Sequence, residues 1–289
     1  MPKAKRSLDH FVTIVGNPDD AAGTYRRLGF RVMPAMEHTK IGTANTIVQF
    51  LDTYLELIGD FEHAKHPWIR EAYDDWLKHG RDIYAMTSLT SPKLEMCRAR
   101  LIEDGYTPME ILDASRRVRL PAGGWTQTAS RSCYMFNEPN KLTSLFMSDH
   151  PKPEAIWIPD WQCHPNTAQR IIKVWYVARD PQADERYHAN WFGASPSISE
   201  TGRLTWETPR GERLEVLTPN AMKEAFPEAS DLEPDIQGRG AGFTVTVSSL
   251  DHCRWALRDG GVAFKERNGA LYVHPMQACA MALEFVQAA

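Results

Sequence analysis

The order of apolar and polar positions in the first sixty residues sets out one unit that the rest of the chain repeats. Leu8-Asp9-His10-Phe11-Val12-Thr13-Ile14-Val15 mixes apolar residues with polar or small ones and turns β-branched in its second half, the pattern of a buried strand. Gly16-Asn17-Pro18 ends it. Pro18 with the acids Asp19 and Asp20 marks a helix N-terminus, where unpaired N–H groups favour negative charge, and Gly29 marks the helix end. Phe30 opens a further strand. After a polar loop around His38-Thr39-Lys40, the stretches Asn45 to Phe50 and Thr53 to Ile58 read as two more. The unit is β-α-β-β-β.

The same order recurs three times. Asp82 to Leu89 reads as a strand, Ser91-Pro92 precedes a helical pattern through Leu94, Cys97, Leu101 and Ile102, and Gly105 closes it. Ile171 to Ala178, Asp180-Pro181 and a helix to about Phe192-Gly193 open a third copy, which reaches Arg213-Leu214-Glu215-Val216-Leu217. Gly242 to Val247, a helix from Leu250 to Arg258 and a last strand over Ala282 to Val286 form the fourth. The closing strands Leu55-Glu56-Leu57, Leu214-Glu215-Val216 and Leu283-Glu284-Phe285 each set a glutamate between apolar neighbours, whereas the second copy has Phe146 there. Such long-range self-similarity decides the fold. The expectation is an α+β chain of four βαβββ modules, at residues 7–62, 80–150, 168–219 and 240–288.

Between the modules, Trp68, Ala72, Trp76 and Leu77 fall at helical spacing and predict an amphipathic connecting helix. The proline-rich stretch Asp149 to Asn166 predicts an irregular crossover, and Pro219 to Gly240 a polar, acidic insertion with one short helix.

Composition narrows the partners. With 43% hydrophobic and 24% charged residues over 289 positions, the chain can build a sizeable core, and a formal net charge of −4 supplies no general field for nucleic acid or an anionic membrane. No apolar run of 18 residues occurs, and the basic start Met1 to Arg6 is followed by no signal-peptide core, so neither membrane insertion nor export is expected. Cys97, Cys133, Cys163, Cys253 and Cys279 are odd in number and widely spaced, which suits reduced thiols in a cytoplasmic protein.

Candidate chemistry sits on the strands. Period-two alternation gives His10 a face with Val12 and Ile14, and Glu56 is a carboxylate inside an apolar strand, costly to bury without a cation or strong donors. That combination motivates a metal. No Gly-rich phosphate loop, nucleophile elbow or Cys-x-x-Cys pair competes with it.

Three strings carry a family likeness: Leu8-Asp9-His10-Phe11-Val12; His38 with Gly42-Thr43-Ala44-Asn45 leading into Tyr54-Leu55-Glu56-Leu57-Ile58; and His164-Pro165-Asn166. With them the chain resembles the vicinal oxygen chelate superfamily, and within it the glyoxalase-like group. The resemblance implies modules paired into two curled, half-open mixed β-barrels with helices outside, and a divalent metal on the concave face of one barrel. In such proteins the ligands come from the first and last strands of paired modules. The corresponding positions are His10 and Glu56, about Tyr84 and Phe146, about Lys173 and Glu215, and about Gly242 and Glu284. Pairing the first module with the fourth and the second with the third, as in hydroquinone ring-cleaving relatives, gives a metal site of His10, Glu56 and Glu284. Waters or substrate oxygens would complete it.

Plainer readings stand beside these. His10 also fits a strand histidine satisfied by hydrogen bonds, Glu284 a solvent-facing side chain, His164-Pro165-Asn166 a structural turn, and His63 with His66 a solvated helix start. His38 and Asn45 are candidates for the barrel mouth, His38 or Glu56 as catalytic base and Asn45 with His274 as substrate contacts; His274 is a further candidate ligand. Trp125, Trp157, Trp161, Trp175 and Trp191 are enough to line an apolar pocket, though core packing accounts for most aromatics. The expected activity is that of a metal-dependent lyase or isomerase acting on a small oxygenated compound, aromatic ones included, through a chelated enediolate or phenolate, with Mn, Mg, Fe(II), Zn or Ni as cofactor. An extradiol-type dioxygenase is the alternative, weakened by the lack of a second histidine ligand, and a metal-free binding or sequestration protein is another. The resemblance also raises a homodimer.

Overall fold

The computed structural model describes residues 5–38, 41–65, 67–80, 82–136, 144–227 and 239–289; the acidic stretch 228–238 and the His63 and His66 side chains lie outside them. Four modules follow one another. The first comprises β1 (Leu8–Ile14), α1 (Pro18–Arg27), β2 (Met36–His38), β3 (Thr43–Gln49) and β4 (Tyr54–Gly59). After the connecting helix α2 (Pro67–His79), the second comprises β5 (Ile83–Thr90), α3 (Leu94–Glu103), β6 (Leu112–Ala114), the small hairpin β7 (Arg117–Arg119) and β8 (Trp125–Gln127), β9 (Ser130–Met135) and β10 (Leu145–Asp149). The third has β11 (Ala168–Val177), α4 (Glu185–Phe192), β12 (Ser197–Ile198), β13 (Leu204–Glu207) and β14 (Arg213–Leu217), followed by α5 (Pro219–Ala225). The fourth has β15 (Arg239–Val247), α6 (Leu250–Asp259), β16 (Phe264–Arg267), β17 (Ala270–Val273) and β18 (Ala282–Gln287).

Within each module the helix returns the chain so that the first strand runs parallel to the last: β1 with β4, β5 with β10, β11 with β14 and β15 with β18. Modules join through antiparallel pairing of their first strands, β1 with β5 and β11 with β15. The result is two eight-stranded mixed sheets, ordered β2-β3-β4-β1-β5-β10-β9-β6 and β12-β13-β14-β11-β15-β18-β17-β16. The pairing expected from the sequence is thereby corrected: module one pairs with module two and module three with module four. The glutamate pattern had favoured the other arrangement, but hydrogen bonding between the long, fully buried strand β1 and its neighbour β5 decides the partner.

The chain divides into two compact units: Leu8–Ala22 with Val32–Gln162, and residues 5–7 with Gly23–Arg31 and Cys163–Ala289. In the first unit, β2 and β6 stand at opposite ends of the strand order yet line one cavity, so the sheet curls round into a half-open barrel. Val12, Ile14, Ile58, Ile83 and Phe146 form a core on which Tyr73 and Trp76 of α2 pack. Gly16 makes room for the Trp76 ring: a Cβ there would lie 2.6 Å from it. Leu77, expected on the packed face, is exposed.

In the second unit, Met222 of α5 and Phe226 just beyond it pack with Trp175, Leu217, Tyr272 and Ala282 of the sheet, giving an apolar cluster. Thr218 caps α5, its hydroxyl accepting from Ala221 N. His164-Pro165-Asn166 is a structural turn: the Asn166 side chain donates to the Leu28 carbonyl (2.9 Å), and His164 Nδ1 accepts from Arg31 N (2.9 Å). Among the described residues no helix is long and apolar enough to cross a membrane.

Candidate active site

Alternation and register place the polar groups. His10 lies beside Tyr54, and Val12 and Ile47 lie on either side of Glu56, so His10, Asn45, Tyr54 and Glu56 share the concave side of the first sheet. His38 of β2 and Ser130, Ser132 and Tyr134 of β9 face the same cavity. It holds about 660 Å³ of atom-free space, part of it open to solvent, which is room for a small molecule.

A local irregularity adds Asp9. On β1 Leu8 pairs with Leu89 and His10 with Ser88, so two steps on β1 match one on β5 and Asp9 is the extra residue of a β-bulge. Its carboxylate Oδ1 accepts from His10 Nδ1 (2.6 Å) and from His150 Nε2 (2.9 Å). Burial would push the Asp9 carboxyl up, but the positive charge of His150 and the hydrogen bonds from both rings outweigh it and hold the group well below the usual carboxylate range. His150 responds in reverse, burial lowering its pKa but Asp9 lifting it above the ordinary value. With Nδ1 engaged, His10 presents Nε2 to Glu56 Oε2 at 3.9 Å. Tyr54 stacks on the His10 ring (4.3 Å between centroids, 7° between planes), and Phe146 meets it edge-on.

Glu56 stands between two imidazoles. Asn45 Nδ2 donates to its Oε1, and His38 Nε2 lies 3.8 Å from the same oxygen. Burial pushes the His38 pKa down; Glu56 opposes this, while Arg116 and His10 reinforce it. The His38 ring is therefore held toward its neutral form.

Two arrangements of donors offer themselves to a metal. Asp9, His10 and His150 have ligand atoms within 4.8 Å of one another, but those atoms already hydrogen-bond at 2.6 and 2.9 Å, and Asp9 supports both rings. The gaps from Glu56 to His10 Nε2 and His38 Nε2, 3.9 and 3.8 Å, are too long for hydrogen bonds. Taken pairwise, and to different Glu56 oxygens, they lie within the span, up to about 4.2 Å, that two nitrogen or oxygen ligands of one ion can have at bond lengths of about 2.1 Å. The three side chains do not bring one ligand atom each within 4.8 Å of one another as Asp9, His10 and His150 do. By donor type, two imidazoles and a carboxylate fit a divalent metal, and Asp9 would then supply the outer hydrogen bond that orients a ligating histidine.

The remaining expected site residues go elsewhere. Glu284 belongs to the second sheet, where Thr244 Oγ1 donates to it at 2.6 Å and Tyr272 Oη at 2.9 Å, so the set His10, Glu56, Glu284 is corrected together with the module pairing. Glu215 lies 3.7 Å from Arg203. His274, expected to touch substrate or metal, belongs to the second unit; it caps a short helical turn, its Nδ1 accepting from Met276 N. Asp9, His150, Tyr54 and Arg116 were not singled out from the sequence. The adjacency of Asp9 and His10 hides a shared site, because consecutive strand residues ordinarily point to opposite faces.

A curled sheet of two βαβββ modules with histidines and a glutamate on its concave face defines a protein of the vicinal oxygen chelate superfamily. The chain belongs to the family described as the glyoxalase-like domain, whose model matches residues 8–192. No curated protein sequence matches it. Among solved structures it resembles a hypothetical protein from Staphylococcus aureus (TM-score 0.66, 8% identity, 97% of this chain and 99% of that one). A mutant of 4-hydroxymandelate synthase from Streptomyces coelicolor is also similar (0.61, 13%, 99% and 93%). So is a fusion of a xylose isomerase-like TIM barrel with 4-hydroxyphenylpyruvate dioxygenase (0.58, 11%, 99% and 49%). At these identities the likeness establishes the fold.

Proposed function

We propose that the chain is a metal-dependent enzyme acting on a small oxygenated molecule in the cavity of the first barrel, with His10, His38 and Glu56 holding the ion. The observation that carries this reading is the carboxylate of Glu56 set between two imidazole Nε2 atoms at 3.9 and 3.8 Å with no hydrogen bond closing either gap. When bound, a divalent ion there would polarise substrate oxygens and stabilise negative charge developing on them. The second imidazole completes the two-histidine, one-carboxylate donor set of non-haem ferrous oxygenases, and so favours an oxygenase.

The protein's own groups prepare the site. Asp9 fixes the His10 ring through Nδ1, Tyr54 and Phe146 hold its plane, and Asn45 orients Glu56. Ile41, Ile47, Ile58 and Ile156 make the cavity wall apolar and limit water around the reacting atoms.

A lyase or isomerase is the second reading, favoured by one observation: burial lowers the His38 pKa, so a neutral imidazole inside the cavity is available to accept a proton from substrate. Oxygen uptake separates the two. Ferrous-loaded protein given catechol or hydroquinone is expected to consume oxygen; turnover of an α-hydroxy ketone under nitrogen, without oxygen uptake in air, supports the lyase or isomerase instead.

A further inference from the structure

Arg116 follows β6, where the second module departs from the pattern of the others to insert the β7–β8 hairpin. Its backbone is pinned on both sides by Thr128, whose Oγ1 accepts from Arg116 N (3.0 Å) and whose N–H donates to the Arg116 carbonyl (2.9 Å). Its side chain lines the cavity and is only 3% exposed. One guanidinium nitrogen, Nη2, donates to the Pro34 carbonyl (3.1 Å), while Nε and Nη1 have no hydrogen-bond partner. Among the described residues no carboxylate stands within ion-pair distance of it.

A buried guanidinium with two unused donor nitrogens is an expensive arrangement in a folded chain. Glu56 shares the cavity but is committed to Asn45 and faces the two histidines. The natural complement is an acceptor that enters from solvent with a negative charge. The cavity that Arg116 lines is also lined by the apolar Leu112, Ala114, Ile47 and Ile156 and by Thr128 and Ser130.

We infer that Arg116 is the docking point for the anionic group of the ligand, and that this cavity selects small carboxylates with an apolar body over their neutral counterparts. This rests on reading the cavity as a ligand site and not on the metal. Charge-assisted hydrogen bonds from a buried guanidinium to a carboxylate are strong enough to dominate selection.

The test is calorimetric titration of the whole 289-residue chain with acetate, benzoate and phenylacetate, and with the matching amides, in the presence of EDTA and again with Mn²⁺. The metal-free protein is expected to bind at least one of the carboxylates about 10- to 100-fold more tightly than its amide. Arg116→Gln is expected to abolish that preference while retaining Mn²⁺, and Arg116→Lys to keep part of it. His10→Ala is expected to lose Mn²⁺ while retaining the preference in EDTA, so failure of the metal site and failure of the anion site are distinguishable. Equal binding of acid and amide throughout the panel by the wild-type protein, whether or not the variants fold, overturns the inference, as does an unchanged preference in folded Arg116→Gln.

Discussion

Asp9 and His10 are consecutive on β1 and yet meet side chain to side chain, Oδ1 to Nδ1 at 2.6 Å, because the bulge against β5 makes Asp9 the unmatched residue. The same oxygen takes the His150 Nε2 hydrogen bond at 2.9 Å. In Asp9→Asn both rings lose a charged acceptor. Stability is expected to fall by about 1–3 kcal/mol, and metal affinity by about 10- to 100-fold, in denaturant melts and Mn²⁺ titration. The His150 pKa, held up by Asp9, is expected to drop, which proton NMR reads directly.

His188 gives the second unit a pH dependence of its own. It is fully buried between Tyr176 and Trp206, with Nδ1 bonded to the Asp184 carbonyl at 2.9 Å, and burial lowers its pKa. The unfolded chain therefore binds a proton that the folded chain resists, and stability declines as pH falls below about 6.5, by up to about 1.4 kcal/mol per pH unit. His188→Phe is expected to cost about 1 kcal/mol at neutral pH and to flatten that decline in denaturant midpoints between pH 7 and 5.

Glu284 and Glu56 occupy corresponding closing strands and differ in what surrounds them. Tyr272 and Thr244 hydroxyls donate to Glu284, whereas Glu56 faces two imidazoles. Glu284→Gln is expected to leave metal stoichiometry unchanged and to cost about 1–3 kcal/mol of stability. Metal analysis of the two variants side by side checks it, since Glu56→Gln is expected to lose the ion.

Two glycines should respond in opposite directions. A Cβ on Gly242 would lie 2.0 Å from the Ala282 carbonyl oxygen, so Gly242→Ala must displace β15 from β18 and is expected to lose about 1–3 kcal/mol. Gly23 sits inside α1 with only the end of Arg27 nearby, at 3.9 Å, and Gly23→Ala is expected to gain about 0.5–1 kcal/mol. Paired thermal melts measure both.

The repeat was legible in the sequence because each module carries its own punctuation: a strand, a proline or acidic helix start and a glycine end, with a closing strand that has a central glutamate in three of the four. His10, His38, Asn45 and Glu56 were legible for the same reason, as polar residues at or near inward positions of the first module. Module pairing was not, since it depends on which first strands hydrogen-bond, and three similar closing strands fit more than one partner. Asp9 was hidden by the rule of alternation that the bulge breaks. Arg116 was hidden because it lies at the irregular junction before the β7–β8 hairpin, where no periodicity announces a direction. The lining of the cavity is likewise not given by the tryptophans, of which none among the described residues is on its wall.

The most direct test of the metal site is Mn²⁺ binding, by calorimetry and electron paramagnetic resonance, to the wild-type protein and to His10→Ala, His38→Ala and Glu56→Gln, each checked for folding by circular dichroism. One ion per chain is expected, with each substitution weakening it by more than the about 10- to 100-fold due to an outer-sphere change such as Asp9→Asn. Absence of binding to the wild type, or wild-type affinity retained in the folded variants, would contradict a site built from these side chains.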